Sequence, residues 1–85
     1  MKTWFITGAS RGFGALTMEA ALATDAVVAT ARDPSSIADH PRLLKLPLDV
    51  TNEAQARDAA ARAIGTFGGI DVLVNSAGYG RHTRR

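Results

Sequence analysis

The sequence predicts an α/β fold in which helices cover both faces of a parallel sheet. Short apolar runs alternate with helical patterns along the 85 residues, and this order is typical of strand-helix-strand units. Four strands joined by right-handed crossovers are expected in the spatial order 3-2-1-4. Such an order leaves a ligand crevice beyond the carboxyl ends of strands one and four, where the glycine-rich and polar segments of the sequence fall.

The first strand-helix-strand unit is predicted to end at Ala31. Residues 4–6 form an apolar strand that stops at Gly8. A helix is expected over residues 13–24, because strong helix formers follow one another there. Residues 26–31 are β-branched or small and almost wholly apolar, as in a strand covered on both faces. The predicted inward face of the helix consists of Leu16, Ala20 and Ala23.

The next segment contains a short helix and a third strand. Asp33 is a good N-cap and Pro34 suits the first helical position, so one or two turns are expected over residues 35–38. Residues 43–48 read as the third strand. Pro47 cannot donate a ladder hydrogen bond, which favours an edge position for this strand.

A second long helix is predicted before the fourth strand. Either Thr51 or Asn52 caps it, and Glu53 stands favourably in its first turn. Gly68 with Gly69 ends it, and residues 70–75 supply the strand. The expected inward face is formed by Ala56, Ala60, Ala63 and Phe67.

Composition excludes several classes of protein. Cysteine is absent, so we expect neither a disulfide framework nor a metal site. No apolar run approaches the roughly 20 residues of a membrane span, and no cleavable signal is evident, which favours a cytoplasmic location. Without Arg81, Arg84 and Arg85, the ten basic residues fall to seven against eight acidic ones, a net charge of −1. A nucleic-acid partner is therefore not expected, and residues 81–85 read as a basic, disordered tail.

The segment T-G-A-S-R-G-F-G lies where the first strand meets the first helix. Gly8 allows a tight turn, Gly12 lets backbone approach a pyrophosphate, and Gly14 removes a side chain where helix meets sheet. A pyrophosphate would rest on free N–H groups at the positive end of the helix dipole. The alternative is a glycine-rich turn that binds nothing.

Three motifs in this order, T-G-x-x-x-G-x-G, D-V after the third strand and N-S-A-G after the fourth, resemble the short-chain dehydrogenase/reductase family. The resemblance covers Lys2 to Gly80. It implies a Rossmann-type half-domain over residues 1–80, and Ser76 replaces the second asparagine of the family's N-N-A-G segment. The link from Thr24 to Ala26 also lacks the glycine that often ends the first helix in relatives.

The resemblance implies roles for named residues. Asp49 meets the adenine amino group and Val50 packs beside the adenine ring, although Asp49 also suits a helix-capping carboxylate. Residues lining the cofactor phosphates are Gly8, Ser10, Phe13 and Gly14. The segment that contains Asn75, Ala77 and Gly78 supports the central sheet and lies along the cofactor ribose.

Charge at the end of the second strand indicates which cofactor is preferred. Ala31 occupies the position where an NAD-preferring site places a carboxylate, and Arg32 follows it. The 2′-phosphate that distinguishes NADP from NAD requires cations, and both Arg32 and Arg11, the latter in the glycine loop, can reach it. This pair of basic residues resembles NADP-preferring members of the family. NADP is therefore favoured over NAD. Asp33 is the competing ribose acceptor, but its place before Pro34 better suits a cap.

The residues that perform the family's chemistry are not found in the 85 residues. The family uses a serine and a Tyr-x-x-x-Lys segment, but Tyr79 is the sole tyrosine and Thr83 stands four residues later. We therefore assign no catalytic residue and interpret Tyr79 as a loop residue near the nicotinamide. The abrupt loss of pattern after Gly80 resembles a fragment or a shifted reading frame.

Three functions remain open at this point. The first is an NADP-dependent oxidoreductase that moves hydride between NADPH and a carbonyl or alcohol. The 85 residues would then be a truncated chain that is inactive alone. Its small-molecule substrate would be bound only by a full-length form. The second is a non-catalytic NADP-binding module. The third is a regulatory or interaction fragment that joins a full-length relative through the exposed edge of the fourth strand. A homo-oligomer is also possible.

Overall fold

The computed structural model describes residues 1–76. Predictions made for Ala77, Gly78, Tyr79 and the basic tail lie outside the described residues. The elements are, in chain order, β1 (Thr3–Thr7), α1 (Gly12–Leu22), β2 (Ala26–Ala31), a 3-10 turn (Pro34–Ser36), β3 (Leu43–Pro47), α2 (Glu53–Phe67) and β4 (Val72–Asn75).

The strands form one parallel sheet in the order β3-β2-β1-β4. The predicted α/β class and strand order are confirmed. Pro47 lies in the edge strand β3, where its missing N–H costs no ladder hydrogen bond. In register, Phe5 of β1 lies between Val28 of β2 and Leu73 of β4.

The sheet separates two apolar layers. One packs against α1 and contains Ile6 and Val27, and the other packs against α2 and contains Phe5 and Val28. Every residue of β2 is buried, as expected for a central parallel strand covered on both faces. The middle of the sheet is therefore packed on both faces, and it positions the carboxyl ends of β1 and β2 on which the site is built.

The inward face of α1 differs from the prediction. Met18 and Ala21 face the core, whereas Leu16 is 69% exposed and Ala20 and Ala23 are exposed as well. The physical reason is that apolar residues occur on all sides of this helix, so its sequence periodicity does not distinguish one face from another. Contacts with the sheet decide which face is buried.

The boundaries of α2 follow local signals. Of the two predicted caps, Asn52 is the one used, and its side chain accepts a hydrogen bond from the Gln55 amide at 3.0 Å. Gly68 ends the helix with φ of 91°, a conformation that favours glycine. Ala59 and Ala63 are its buried residues, so the predicted face is rotated by part of a turn.

The end of α1 is stabilised by a residue from elsewhere in the chain. Ala23 keeps a right-handed conformation there, and Arg42 donates hydrogen bonds to the carbonyl oxygens of Leu22 and Asp25, the latter at 3.2 Å. These bonds satisfy carbonyls that a glycine-based terminus satisfies with backbone groups. The absence of a glycine in this link is therefore compensated by a guanidinium.

An apolar groove of about 350 Å³ lies beside β4 on the face that carries α2. Phe5, Leu48 and Ala60 line it, together with Val50 and Leu73, which are 51% and 53% exposed. The groove forms because α2 packs on Phe5, Val28 and the end of β3 and leaves Leu73 uncovered.

Candidate functional site

The glycine turn between β1 and α1 adopts the backbone that its sequence predicts. Gly8 and Gly12 have φ values of 63° and 59°, in the left-handed region that favours glycine. Between them, the Ala9 amide donates to the Thr30 carbonyl at 3.0 Å. This bond joins the turn to the end of β2, so the turn is held by the neighbouring strand.

Gly14 is required by close packing. A Cβ atom at this position would overlap the carbonyl oxygen of Gly8 and lie 2.5 Å from Oγ of Ser76. The start of α1 is therefore pressed directly onto the glycine turn and onto the end of β4. The structure thus gives Gly14 the packing position predicted for it, while its contact with a phosphate stays a prediction.

Ser76 has a structural role that the sequence analysis missed. Its hydroxyl donates to the Thr7 carbonyl, and Oγ1 of Thr7 donates to Oδ1 of Asn75 at 3.0 Å. These bonds fasten the end of β4 to the glycine turn. The signal available in the sequence was the short hydroxyl side chain itself, which can bond to a backbone carbonyl at close range.

Thr30 is a second residue that the sequence analysis missed. The Thr30 side chain is fully buried, and its hydroxyl donates to the Ile6 carbonyl at 3.1 Å. The backbone carbonyl of Thr30 accepts the bond from the Ala9 amide. A threonine in the middle of an apolar strand pattern indicates only a β-branched residue. A hydroxyl in a buried strand must find a partner, and this requirement could have identified it.

The N-terminus of α1 has no side-chain cap. Arg11 is the N-cap residue, its backbone is extended, and its side chain makes no capping hydrogen bond. The first turn contains no acidic residue, and Arg11, Gly12 and Phe13 are exposed. N–H groups and a positive dipole end at such a terminus attract an anion. The space at Gly12 would admit one, since a Cβ built there meets no atom of residues 1–76 within 4 Å apart from its chain neighbours and the backbone of its own helix.

Positive charge at this edge of the sheet is not held in ion pairs by the described residues, although the charge of Arg32 contributes to lowering the pKa of the Asp49 carboxyl. Ion pairs within residues 1–76 are formed by Lys45 with Asp39 and by Arg57 with Glu53. Arg11 and Arg32 therefore have no carboxylate partner in that part of the chain, and both are exposed. Two guanidinium groups thus remain available at the ends of β1 and β2.

Asp33 forms the cap that the sequence predicts. Its Oδ1 accepts hydrogen bonds from the amide and hydroxyl of Ser35 at 3.1 and 2.7 Å. The hydroxyl and then the amide of Ser35 lower the pKa of the Asp33 carboxyl, so this carboxylate is charged at neutral pH. The short helix predicted over residues 35–38 is a single 3-10 turn over Pro34–Ser36, with Pro34 in first place.

Asp49 forms a similar turn at the end of β3. Its Oδ1 accepts from the hydroxyl and amide of Thr51 at 2.6 and 3.0 Å, and these bonds lower the pKa of the Asp49 carboxyl, with a smaller contribution from the charge of Arg32. The capping position belongs to Asn52, so Asp49 is not the helix cap. Gln55, which the sequence analysis did not single out, accepts a hydrogen bond from the Asp49 amide at 2.7 Å.

The structure brings most of the predicted residues to one edge. The carboxyl ends of adjacent parallel strands carry them, and Val50 and Asn75 also line the groove beside β4. The predicted residues found at this edge are Gly8, Ser10, Arg11, Gly12, Phe13, Gly14, Arg32, Asp49, Val50 and Asn75.

Two further observations concern residues 1–76. Neither helix there has the length and apolar character needed to cross a bilayer. In the same part of the chain, no group of three His, Cys, Asp or Glu side chains is placed to hold a metal ion.

Comparisons with known proteins agree with the fold and the motifs. An oxidoreductase of Botryotinia fuckeliana is 44% identical over 85 residues, which cover 92% of this chain and 31% of the relative. A short-chain dehydrogenase from Streptomyces avermitilis superposes with a TM-score of 0.84 at 41% identity, covering 91% of this chain and 31% of that one. This chain therefore spans about a third of the length of these relatives.

A further structure is of a short-chain dehydrogenase from Burkholderia cenocepacia in complex with NADP. It superposes with a TM-score of 0.73 at 34% identity, covering 95% of this chain and 35% of that one. The family model for short chain dehydrogenases matches residues 2–85. The chain belongs to the short-chain dehydrogenase/reductase family of oxidoreductases, which use NAD(P) cofactors.

Proposed function

We propose that the chain binds NADP as the cofactor-binding part of an oxidoreductase that transfers hydride between NADPH and a carbonyl or alcohol. The observation that carries the proposal is the pair of exposed arginines, Arg11 and Arg32, without a carboxylate partner in residues 1–76. The nicotinamide of the cofactor supplies the hydride. Because the family's serine and Tyr-x-x-x-Lys segment are absent from the 85 residues, we propose that the chain binds cofactor and does not turn over substrate alone.

The start of α1 would hold the cofactor phosphates. Its terminus lacks a side-chain cap, and the open space at Gly12 allows an anion to reach the backbone N–H groups. We propose that Gly8, Ser10 and Phe13 line this position together with Gly14, whose missing Cβ keeps α1 against the turn. The uncapped N–H groups support this role because the first N–H groups of a helix have no partner within the helix and are available to an anion.

The carboxyl end of β2 would distinguish NADP from NAD. Ala31 offers no acceptor to ribose hydroxyls, and the guanidinium of Arg32 attracts a 2′-phosphate, as does that of Arg11. The direction of preference is set by charge, because a dianionic phosphate is favoured by two cations and would be repelled by a carboxylate at Ala31.

The end of β3 would receive the adenine. Val50 is half-exposed on the groove and offers an apolar surface to a ring, and the Asp49 carboxylate, fixed by Thr51, can accept from the amino group. Asn75, with Ala77 and Gly78, is proposed to lie along the ribose. The binding unit would comprise residues 1–80, with 81–85 as its tail.

Calorimetry with the full chain tests this proposal. NADP+ is expected to bind more tightly than NAD+, and the double change Arg32→Asp and Arg11→Ala is expected to reverse that order. Each lost charge-assisted bond should weaken NADP+ binding by roughly tenfold or more, since such bonds contribute about 1.5 to 3 kcal/mol. Arg57→Ala, an exposed arginine on α2, is the matched control. A folded chain that binds neither nucleotide would refute the proposal.

A second candidate function is favoured by the groove and the free edge of β4. Leu73 is 53% exposed, and β4 pairs with β1 on one side only among the described strands, so a second copy could add its β4 to this edge. Sedimentation of the wild type and of Leu73→Lys tests the idea. We expect self-association that the lysine abolishes, whereas a monomeric wild type would exclude it.

A further inference from the structure

We propose that Ser35 determines cofactor preference by holding the Asp33 carboxylate within its own turn, away from Arg32 and away from the cofactor ribose. The inference rests on the proposed NADP-binding function and identifies a positioning residue for it. Ser35 itself would touch neither the phosphate nor the ribose.

The turn itself is well defined. Both hydrogen bonds from Ser35, the amide at 3.1 Å and the hydroxyl at 2.7 Å, end on the same oxygen of Asp33. Asp33 directly follows Arg32 in the chain and is exposed like it, yet the two side chains form no ion pair. The Asp33 carboxylate is therefore held by Ser35 and not by the arginine next to it in sequence.

A released Asp33 carboxylate would act against NADP in either of two positions. If it paired with Arg32, it would neutralise the guanidinium that is proposed to bind the 2′-phosphate. If it turned toward the ribose, it would accept from the hydroxyls of NAD and repel the phosphate of NADP. Both positions change the preference in the same direction, so the expected result does not depend on which one is taken.

The backbone around the turn is anchored independently of the Ser35 side chain. Ile37 is 5% exposed in the α1-side core, and its amide donates to the Pro34 carbonyl at 3.0 Å. Lys45 of β3 donates to the Ile37 carbonyl at 2.8 Å and pairs with Asp39 at 2.7 Å. Removing the hydroxyl takes away the shorter of the two bonds and leaves the amide bond, so it should loosen the carboxylate without unfolding the segment.

The test compares Ser35→Ala with wild type in calorimetric titrations of the full chain with NADP+ and NAD+. The ratio of the two dissociation constants is expected to move toward NAD+ by roughly fivefold, the effect of about one hydrogen bond. Ser36→Ala is the matched control, because it removes the adjacent exposed hydroxyl from the same turn. The double variant Asp33→Asn with Ser35→Ala should restore the ratio, since it has no carboxylate to release.

A second measurement separates the two proposals. Carboxyl titration by NMR should give a higher Asp33 pKa in Ser35→Ala than in wild type, with no cofactor present. An unchanged Asp33 pKa, or an unchanged cofactor ratio in a chain whose wild type prefers NADP+, would overturn the role of Ser35 alone. A wild type without preference for NADP+ would overturn the proposed function, and the role of Ser35 with it.

Discussion

Helices α1 and α2 are stabilised in opposite ways. α2 begins at the Asn52 cap and ends at the left-handed Gly68, so both ends are satisfied by residues next to it in sequence. α1 begins at Arg11 without a capping side chain and ends on hydrogen bonds from Arg42, twenty residues later. The helix that depends on distant contacts is the one whose open N-terminus faces the proposed phosphate site.

This difference has a functional reading. A capped N-terminus already satisfies its N–H groups, so it has less to offer an anion, whereas an uncapped one keeps donors available. The protein then has to stabilise α1 elsewhere, and it does so through Gly14 packing, Met18 burial and the Arg42 bonds. Variants that weaken each helix should therefore act at different places and by different amounts.

The largest effect is expected from Gly14→Ala. The added Cβ would overlap the Gly8 carbonyl oxygen and press on Ser76, and because the obstacle is backbone, α1 must move off the sheet. Overpacking of this kind is expected to cost about 3 kcal/mol. The free energy of unfolding from urea titration measures it.

Gly65→Ala is the matched control for that variant. Gly65 lies inside α2, and apart from its chain neighbours and the backbone of that helix a Cβ there meets no atom of the described residues within 4 Å. The change should therefore stabilise the chain by about 0.5 to 1 kcal/mol through helix propensity. If both substitutions had equal effects, the close approach of α1 to the glycine turn would be wrong.

The same contrast explains how far the sequence could predict the fold. The ends of α2 were predicted because Asn52 and Gly68 act on neighbouring backbone, and β2 was predicted to its exact residues 26–31 because a central strand is apolar throughout. The prediction of the inward face of α1 was wrong, since that face depends on which side of a uniformly apolar helix meets the sheet. Arg42 was not identified, because nothing in the sequence near it refers to α1.

The second prediction concerns Arg42. Arg42→Met keeps an apolar stem and removes the donors that satisfy the carbonyls of Leu22 and Asp25. We expect a loss of about 2 kcal/mol in the free energy of unfolding, because hydrogen bonds from a charged group are removed from partly buried carbonyls. Amide hydrogen exchange should accelerate most in the last turn of α1.

Arg57→Met on α2 provides the comparison. Its contact with Glu53 is a surface pair at 4.0 Å between exposed side chains, so its loss should change stability by less than about 0.5 kcal/mol. A cost for Arg57→Met as large as that for Arg42→Met would show that the end of α1 does not depend on the distant guanidinium.

A smaller effect is expected at the start of α2. Asn52→Ala removes the acceptor for the Gln55 amide and should cost about 1 kcal/mol. Asn52→Asp keeps the acceptor and should retain stability, since a carboxylate caps a helix and also favours its dipole. Urea titration of both variants measures this, and an alanine variant as stable as wild type would mean that the local cap contributes nothing.

For related reasons, only part of the candidate site could be proposed from the sequence. Motifs singled out Gly14, Arg32 and Asp49, because each belongs to a contiguous segment whose residue types carry the signal, and their contacts with a cofactor stay predictions. Ser76 and Thr30 were missed, since their hydroxyls act on carbonyls of Thr7 and Ile6 that are far away in sequence. Long-range hydrogen bonds become visible only when the strand register is known.

The smallest effect is expected from acid titration of Asp25, which lies just beyond the C-terminal end of α1. Asp25 accepts hydrogen bonds from Nε1 of Trp4 at 2.9 Å and from the Lys2 amide at 3.1 Å, and these two donors, Trp4 first, hold the pKa of the Asp25 carboxyl below 3.8. A carboxyl whose pKa is lower in the folded chain than in the unfolded chain contributes stability above the unfolded pKa. That contribution is expected to disappear as pH falls below about 4.

Trp4 makes this titration measurable, because it is the only tryptophan in the chain and its indole N–H is bonded to the titrating group. Its fluorescence should change with a midpoint below 3.8, before far-ultraviolet circular dichroism reports unfolding. Asp25→Asn should abolish this step, while Asp33→Asn, which removes a carboxyl in the turn after β2, should leave it intact. If the fluorescence step persisted in Asp25→Asn, another group would be titrating. The bonds from Trp4 and Lys2 to Asp25 would then not contribute to stability in the way proposed.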